Sequence, residues 1–408
     1  MIFQVIGINS IYGIFQEFYT SPSSSVKDAV GQDALVALVG TVGAGLTWSG
    51  SIVVNPLIAK MRGVRWITVS GVIAMSLGLF LAGFSSKLWH LFLTQGLLYG
   101  FGSSAFYFPI MSLTPPYFDR HRGFAMGFIL AGSGVGGLVL APVLRLLLDR
   151  YGIGWSLRIL GLWTLVVGLP TACVIRKKPT PAGLSSRQPV FNMGLVKRGT
   201  FLWQQSLGAF LQAAGNAVPL YYMATYSTSV LSYKSSTGSL FIALNNAVNS
   251  VSRVTMGVLA DQVGRQNTMV LSVLLSGVSV LAFWYDASRL RFILFVVSYG
   301  IYAGGYNALL PTTITEIYGV QNYSSVNGVI YFLRGLGAIF GAPIAGVILG
   351  SHQRGTSLQS MMTSLSPVKM RYNEVAIFDG VVLVGSAVCV GYVRWLDARD
   401  KGGWSWKA

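Results

Sequence analysis

Charge is what this chain lacks most. Asp, Glu, Lys and Arg make up only 10% of its 408 residues, far below the roughly 25% of soluble domains, which excludes a water-exposed globule. Acids are the scarcer sign, 12 against 29 Lys and Arg. With 3 histidines and 2 cysteines there is neither a metal-ligand spacing nor a disulfide framework. Cys173 and Cys389 are lone thiols, and His90, His121 and His352 fall at helix ends or in loops, so no histidine relay crosses a membrane. No hydrolase, kinase or redox constellation is visible, and the expectation is a non-enzyme without cofactor or metal. The chain opens without a basic segment or a small-residue cleavage site, so its first apolar run reads as a span and not as a cleaved leader.

What fills the space is apolar. Hydrophobic residues reach 53%. Runs long enough to cross a bilayer are predicted at about 1–19, 34–59, 66–84, 89–114, 123–148, 155–175, 200–226, 236–260, 267–285, 291–314, 325–350 and 375–396. Twelve helices with little chain between them make an all-α membrane protein. Cations orient it. With both ends inside, sixteen Lys and Arg fall in inner segments and nine in outer ones, the bias of cytoplasmic loops. The formal net charge of +17 therefore speaks of topology and contact with anionic lipid, not of nucleic acid.

The chain also repeats itself. At an offset of about 201 residues Ala59 matches Ala260, Gly63 matches Gly264, Tyr117 matches Tyr318, and Gly127, Gly136 and Pro142 match Gly328, Gly337 and Pro343. These fall at equivalent places in two six-helix halves, the repeat pattern of many secondary transporters. The expected domains are a bundle over 1–175, a cytoplasmic linker over 176–199 rich in Pro, Ser and basic residues, and a bundle over 200–408 with a short cytoplasmic tail.

Two segments carry the strongest motifs. Tyr117 to Gly137 reads YFDRHRGFAMGFILAGSGVGG, a basic turn with Arg120 and Arg122 running into a helix ridged by Gly123, Gly127 and Ala131 and by Gly132 and Gly136. Small residues every four positions let membrane helices approach closely. That suits a helix that slides, although static packing uses the same spacing. Gly257 to Asn267 reads GVLADQVGRQN, which resembles the loop signature of the major facilitator superfamily. The resemblance implies the major facilitator fold and gives Asp261 and Arg265 the task of latching an inner gate, with Arg120 and Arg122 on the same side. The first-half copy, PLIAKMRGVR, has Lys60 in place of the acid, so a latch there is in doubt. Within that superfamily, the Tyr117 segment, the Arg253 helix, YFLRGLGAIFGAPIAG from Tyr331 to Gly346, the GGWSWKA tail and Phe15 to Tyr19 are similar to the fungal branch of the monocarboxylate porter family. Animal members carry a lysine in span one that aligns with Asn9 here, and a span-eight acid that aligns with Asn249. The acidic-glycine-aromatic motif that opens span one is not seen, so the proton-coupled lactate mechanism is not carried over intact.

Polar groups inside spans mark where substrate binds. Arg253 lies roughly 10 Å from the inner end of span eight, with Asn249 and Asn245 one and two turns before it on one stripe. Arg334 falls about nine residues into span eleven, near the midplane. A charge there costs about 2.5–3.5 kcal/mol on the lenient insertion scale, and an arginine fork fits a carboxylate bidentately. The spacing therefore points to an anionic substrate. The structural alternatives are an ion pair of Arg253 with Asp261 or bonds from it to helix carbonyls near the inner gate, a backbone bond for Arg334, and helix glue for the two asparagines. Tyr99, Ser103 and Tyr107 align on span four, Tyr299, Tyr302 and Tyr306 on span ten beside Asn307, and Gln212 with Asn216 on span seven. As cavity lining these stripes suit a bulky, partly aromatic acid; as packing they say nothing of substrate. Glu17 is the coupling candidate among the carboxylates, but Glu17, Asp379 and Glu316 all fall near helix ends, where solvation is the plainer reading.

The expected function is secondary active transport, by alternating access, of small to medium organic anions, with export of a carboxylate-bearing secondary metabolite favoured. The alternatives are proton-coupled uptake of a monocarboxylate or vitamin and, from another class, a non-transporting membrane sensor. The expected setting is a monomer in the plasma membrane with both termini cytoplasmic. Its expected partners are an organic acid, lipid and, as a candidate coupling ion, the proton.

Overall fold

The computed structural model describes residues 1–22, 24–60, 63–113, 122–175, 200, 203, 207–319, 322–351 and 367–403. Among them there is helix and no strand. Helices α1 (Ile2–Ser10) and α2 (Tyr12–Thr20) are one expected span broken at Ile11, whose φ of −98° and ψ of 7° leave the helical well. Then follow α3 (Asp33–Ser49), α4 (Ser51–Lys60), α5 (Val64–Ala82) and α6 (Leu88–Leu91). A π-helical segment, Phe92–Leu98, leads into α7 (Tyr99–Leu113). The run α8 (Arg122–Val174) is two helices that meet at Gly152, whose φ of 71° and ψ of 176° are not helical, and both arms return to the start of α1, where Gly136 faces Gly7 and Gln4 bonds the Thr164 carbonyl. The second half runs α9 (Ala209–Ser229), α10 (Ser235–Val263), α11 (Arg265–Ser279), a π-helical Val280–Trp284, α12 (Arg289–Tyr318), α13 (Tyr323–Ser351) and α14 (Pro367–Asp400).

Among the described residues 7 helices are long and apolar enough to cross a membrane, fewer than the twelve runs expected. The differences have local reasons. The first run is broken at Ile11, spans five and six follow one another through the non-helical Gly152 and count together, and 88–113 is rich in Gly, Ser and aromatic residues. Helices α9 and α10 spend their length on Gln, Asn, Ser, Thr and Tyr. The side-chain distribution is that of a protein in lipid. Trp66, Phe128, Val166 and Val388 are exposed, while Thr41, Thr47, Ser51 and Ser103 are fully buried. Where lipid replaces water, association rests on close packing and interhelical hydrogen bonds.

Two seams join the halves. Along the first, α3 and α4 run against α13: Ala34 faces Gly346, the Thr41 hydroxyl donates to the Ile339 carbonyl at 3.1 Å, and the Ser51 hydroxyl donates to the Gly328 carbonyl at 2.6 Å. Contact is therefore made near both ends and in the middle. Along the second, α8 runs against α10. A methyl group added at Gly127 would lie 2.5 Å from the Arg253 carbonyl, so only glycine admits that approach. Gly136, on the same arm, faces Gly7 of α1 instead. The glycine ridge thus serves one neighbour within its half and one across the seam.

Candidate functional site

Between the seams lies a cavity walled by both halves. Asn9 of α1, Trp48 of α3, Tyr107 of α7 and Ser133 of α8 come from the first half. Asn216 and Tyr221 of α9, Asn245, Asn246, Asn249 and Arg253 of α10, Tyr299 and Asn307 of α12 and Arg334 of α13 come from the second. The lining holds two arginines and no carboxylate.

Both arginines are buried, Arg253 to 7% and Arg334 to 3% exposure, and among the described residues neither has an ionic partner. Arg253 donates from Nε to Asn249 Oδ1 at 2.8 Å and from Nη1 to the Leu130 carbonyl at 2.8 Å and to the Ser133 hydroxyl. The last two belong to α8, so this guanidinium ties the halves together. Of the two structural partners expected for it, a helix carbonyl is found, that of Leu130, and Asp261 is not. Arg334 donates to the side-chain oxygen of Asn307, not to a backbone carbonyl. Its Cζ lies 4.6 Å from the centroid of Trp48, 5.5 Å from Tyr331 and 5.6 Å from Tyr306. Cation–π attraction to three faces stands in for a counter-ion.

The asparagines do two things at once. Asn245 donates to the Val296 carbonyl at 2.9 Å and Asn249 to the Gly300 carbonyl at 3.4 Å, which glues α10 to α12, and both still face the cavity. Asn9 donates to the Thr47 hydroxyl at 3.4 Å. Tyr306 is not on the wall; it backs Arg334 from behind. Tyr99 bonds the Val5 carbonyl and is packing.

Other expected residues lie elsewhere. Asp261 and Arg265 pair at 3.1 Å across the Gly264 turn, and Arg265 reaches Glu316 at 3.9 Å. Gln266 bridges Glu316 and Asp397 at 2.9 and 2.7 Å. Among the described residues this network ties α10, α11, α12 and α14 to one another, all in the second half. Glu17 pairs with Arg145 at 3.4 Å and lines a separate pocket with Asp33 and Arg371, so the coupling candidate does not reach the cavity. Asp379, expected to be solvated, is 0% exposed: α14 starts at Pro367, a full eight residues before the apolar run expected from 375, which sets Asp379 deep along the helix. Arg120 and the 176–199 linker lie outside the described residues, as does the side chain of Arg122.

Trp48, Ser133, Tyr221 and Asn246 were not foreseen. Asn246 was legible as the neighbour of Asn245 on a helix already marked polar. Ser133 and Trp48 carry no such sign, because their importance comes from the arginines of the other half.

A cavity with two buried arginines inside a helical membrane protein, walled by both halves of the chain, is the arrangement of a small-molecule carrier. The chain belongs to the Major Facilitator Superfamily, whose model matches residues 3–342 and 235–403. It is a secondary transporter. It is similar to the MFS-type transporter pynF of Aspergillus niger, 28% identical over 86% of this chain and 80% of the relative. It is similar also to the agnestins efflux protein AgnL12 of Paecilomyces divaricatus, 26% identical over 84% and 77% of the two chains. The aspyridones efflux protein apdF of Emericella nidulans is 26% identical over 95% and 75%. In fold it resembles the nucleoside transporter NupG, with a TM-score of 0.67 at 13% identity over 96% of this chain and 97% of the other. A bacterial homologue of the lysosomal transporter Spinster gives 0.66 at 16% identity over 99% and 98%.

Proposed function

We propose that this protein exports small to medium organic anions, carboxylate-bearing secondary metabolites in particular, on the plan of the fungal monocarboxylate porters. The observation that carries the reading is the pair of buried arginines on a cavity wall without one carboxylate. A buried charge without a counter-ion is costly in a membrane protein. An arriving carboxylate supplies the missing charge and takes the fork of Arg253 bidentately, while Trp48, Tyr107, Tyr221 and Tyr299 offer faces to an apolar or aromatic body. Relatives named as efflux proteins favour export. Bundles over 1–175 and 200–408, joined by 176–199, would rock about the cavity within a twelve-span monomer of the plasma membrane, both termini in the cytoplasm. Arg253 would then release Leu130 and Ser133 as it takes the substrate, so binding loosens the tie between the halves.

Flux of a panel of labelled organic acids into liposomes holding the purified protein tests this, wild type beside Arg253→Ala. The expected result is flux of bulky aromatic acids that vanishes in the variant. Flux of lactate equal to that of large acids would count against the metabolite class. No flux of any acid would overturn the anion reading in favour of neutral solutes or sensing.

A further inference from the structure

The acid best placed to sense protons is not Glu17. Asp379 lies about 18 Å along α14 from Pro367 at 1.5 Å per residue. It is fully buried, and neither carboxyl oxygen has a hydrogen-bond partner among the described residues. Among the described residues the elements packed around it present uncharged faces. Helix α9 presents Gly215, where an added Cβ would lie 3.1 Å from Oδ1. The Val280–Trp284 segment presents Leu281 against Gly380, and α11 presents Gly277 against Leu383. Helix α13 meets α14 where Arg371 bonds the Leu349 carbonyl, about 12 Å along the helix from Asp379. Helix α12 presents Tyr299, the ionisable group within electrostatic reach.

Tyr299 and Gly215 also connect the carboxyl to the cavity. Tyr299 lines it, with its hydroxyl 3.5 Å from the Asn216 side-chain oxygen, and Asn216 follows Gly215 on α9. One wall therefore has Asp379 behind it and substrate space before it. An ionised carboxylate so placed leaves every lone pair unmet in a low dielectric, which costs several kcal/mol. The neutral acid is the form this packing tolerates.

Resting on the anion-transport reading, we propose that Asp379 is the proton-binding site of the transport cycle, protonated while α9 and α14 are packed and deprotonated when their parting admits water. The O–H bond forms with a proton taken from water on one side of the membrane and breaks to return it to water on the other; no electrons move. A substrate that engages Asn216 or Tyr299 moves the wall against which the carboxyl packs, which links the two events.

Two measurements test it. Infrared spectra of the wild type at about pH 7, far above where a solvated aspartate loses its proton, should show a protonated-carboxyl band that Asp379→Asn lacks. In liposomes, Asp379→Asn should keep exchange of labelled benzoate for unlabelled benzoate and lose the accumulation driven by a pH gradient. Absence of the infrared band, or gradient-driven accumulation unchanged in the variant, would overturn the proposal. If the wild type moves no acid at all, the anion reading fails, and the infrared band still decides whether Asp379 holds a proton.

Discussion

Arg253 and Arg334 are the same residue on the wall of one cavity, and they are held in opposite ways. Arg253 is strapped by directed hydrogen bonds, one to its own helix and two to α8 across the seam. Arg334 sits among the faces of Trp48, Tyr331 and Tyr306 with one amide oxygen on it. Hydrogen bonds to a guanidinium are geometric and either made or lost, whereas attraction to an aromatic face tolerates displacement. On the anion-export proposal, the first arginine would report the arrival of an anion and the second would keep the cavity positive throughout a movement.

Arg253→Ala should have the largest effect. Truncating one member of a buried, hydrogen-bonded charge pair costs about 2–5 kcal/mol, so the affinity for labelled benzoate should fall by at least about thirtyfold. Arg253→Lys should rescue little, since an ammonium lacks the planar fork. Arg334→Ala comes next, at about 1–2 kcal/mol, roughly tenfold in the same assay, and Arg334→Lys should recover most of it. A lysine that fails as badly as alanine at Arg334 would erase the distinction.

Gly127→Ala separates the two arginines by another route. Its methyl group would strike the Arg253 carbonyl and nothing near Arg334. Overpacking of this kind costs about 1–3 kcal/mol, and transport should slow while a cation–π signature of Trp48, read by ultraviolet resonance Raman, stays unchanged. Asp261→Asn should do least. It breaks a partly exposed pair with Arg265 worth about 1 kcal/mol or less, so melting should shift slightly and benzoate affinity not at all.

The polar core of the site was legible because it follows helix period. Asn245, Asn249 and Arg253 recur every four residues, and such a stripe on an apolar span has to face something other than lipid. What period cannot give is the partner. Ser133 and Trp48 matter through residues 120 and 286 positions away, a relation that no local pattern encodes. Asp379 was misplaced for a different reason: the first turns of α14 hold Lys369, Arg371 and Asn373, so hydropathy starts the span late and makes a deep residue look shallow. The glycine ridge was read correctly as close packing, but its division between α1 and α10 is a matter of helix rotation that spacing alone leaves open.

The bonds from Arg253 to Leu130 and Ser133 have a consequence for selectivity. The empty carrier is already liganded, by its own chain. A solute reaching the guanidinium has to evict an internal competitor, and the affinity measured is the difference between the two. If Arg253 holds the substrate as proposed, solutes whose hold on it is weaker than that of a carbonyl and a hydroxyl would leave the tie intact and not be carried, however well their shape fits. Such a threshold would filter by strength of charge before size is consulted.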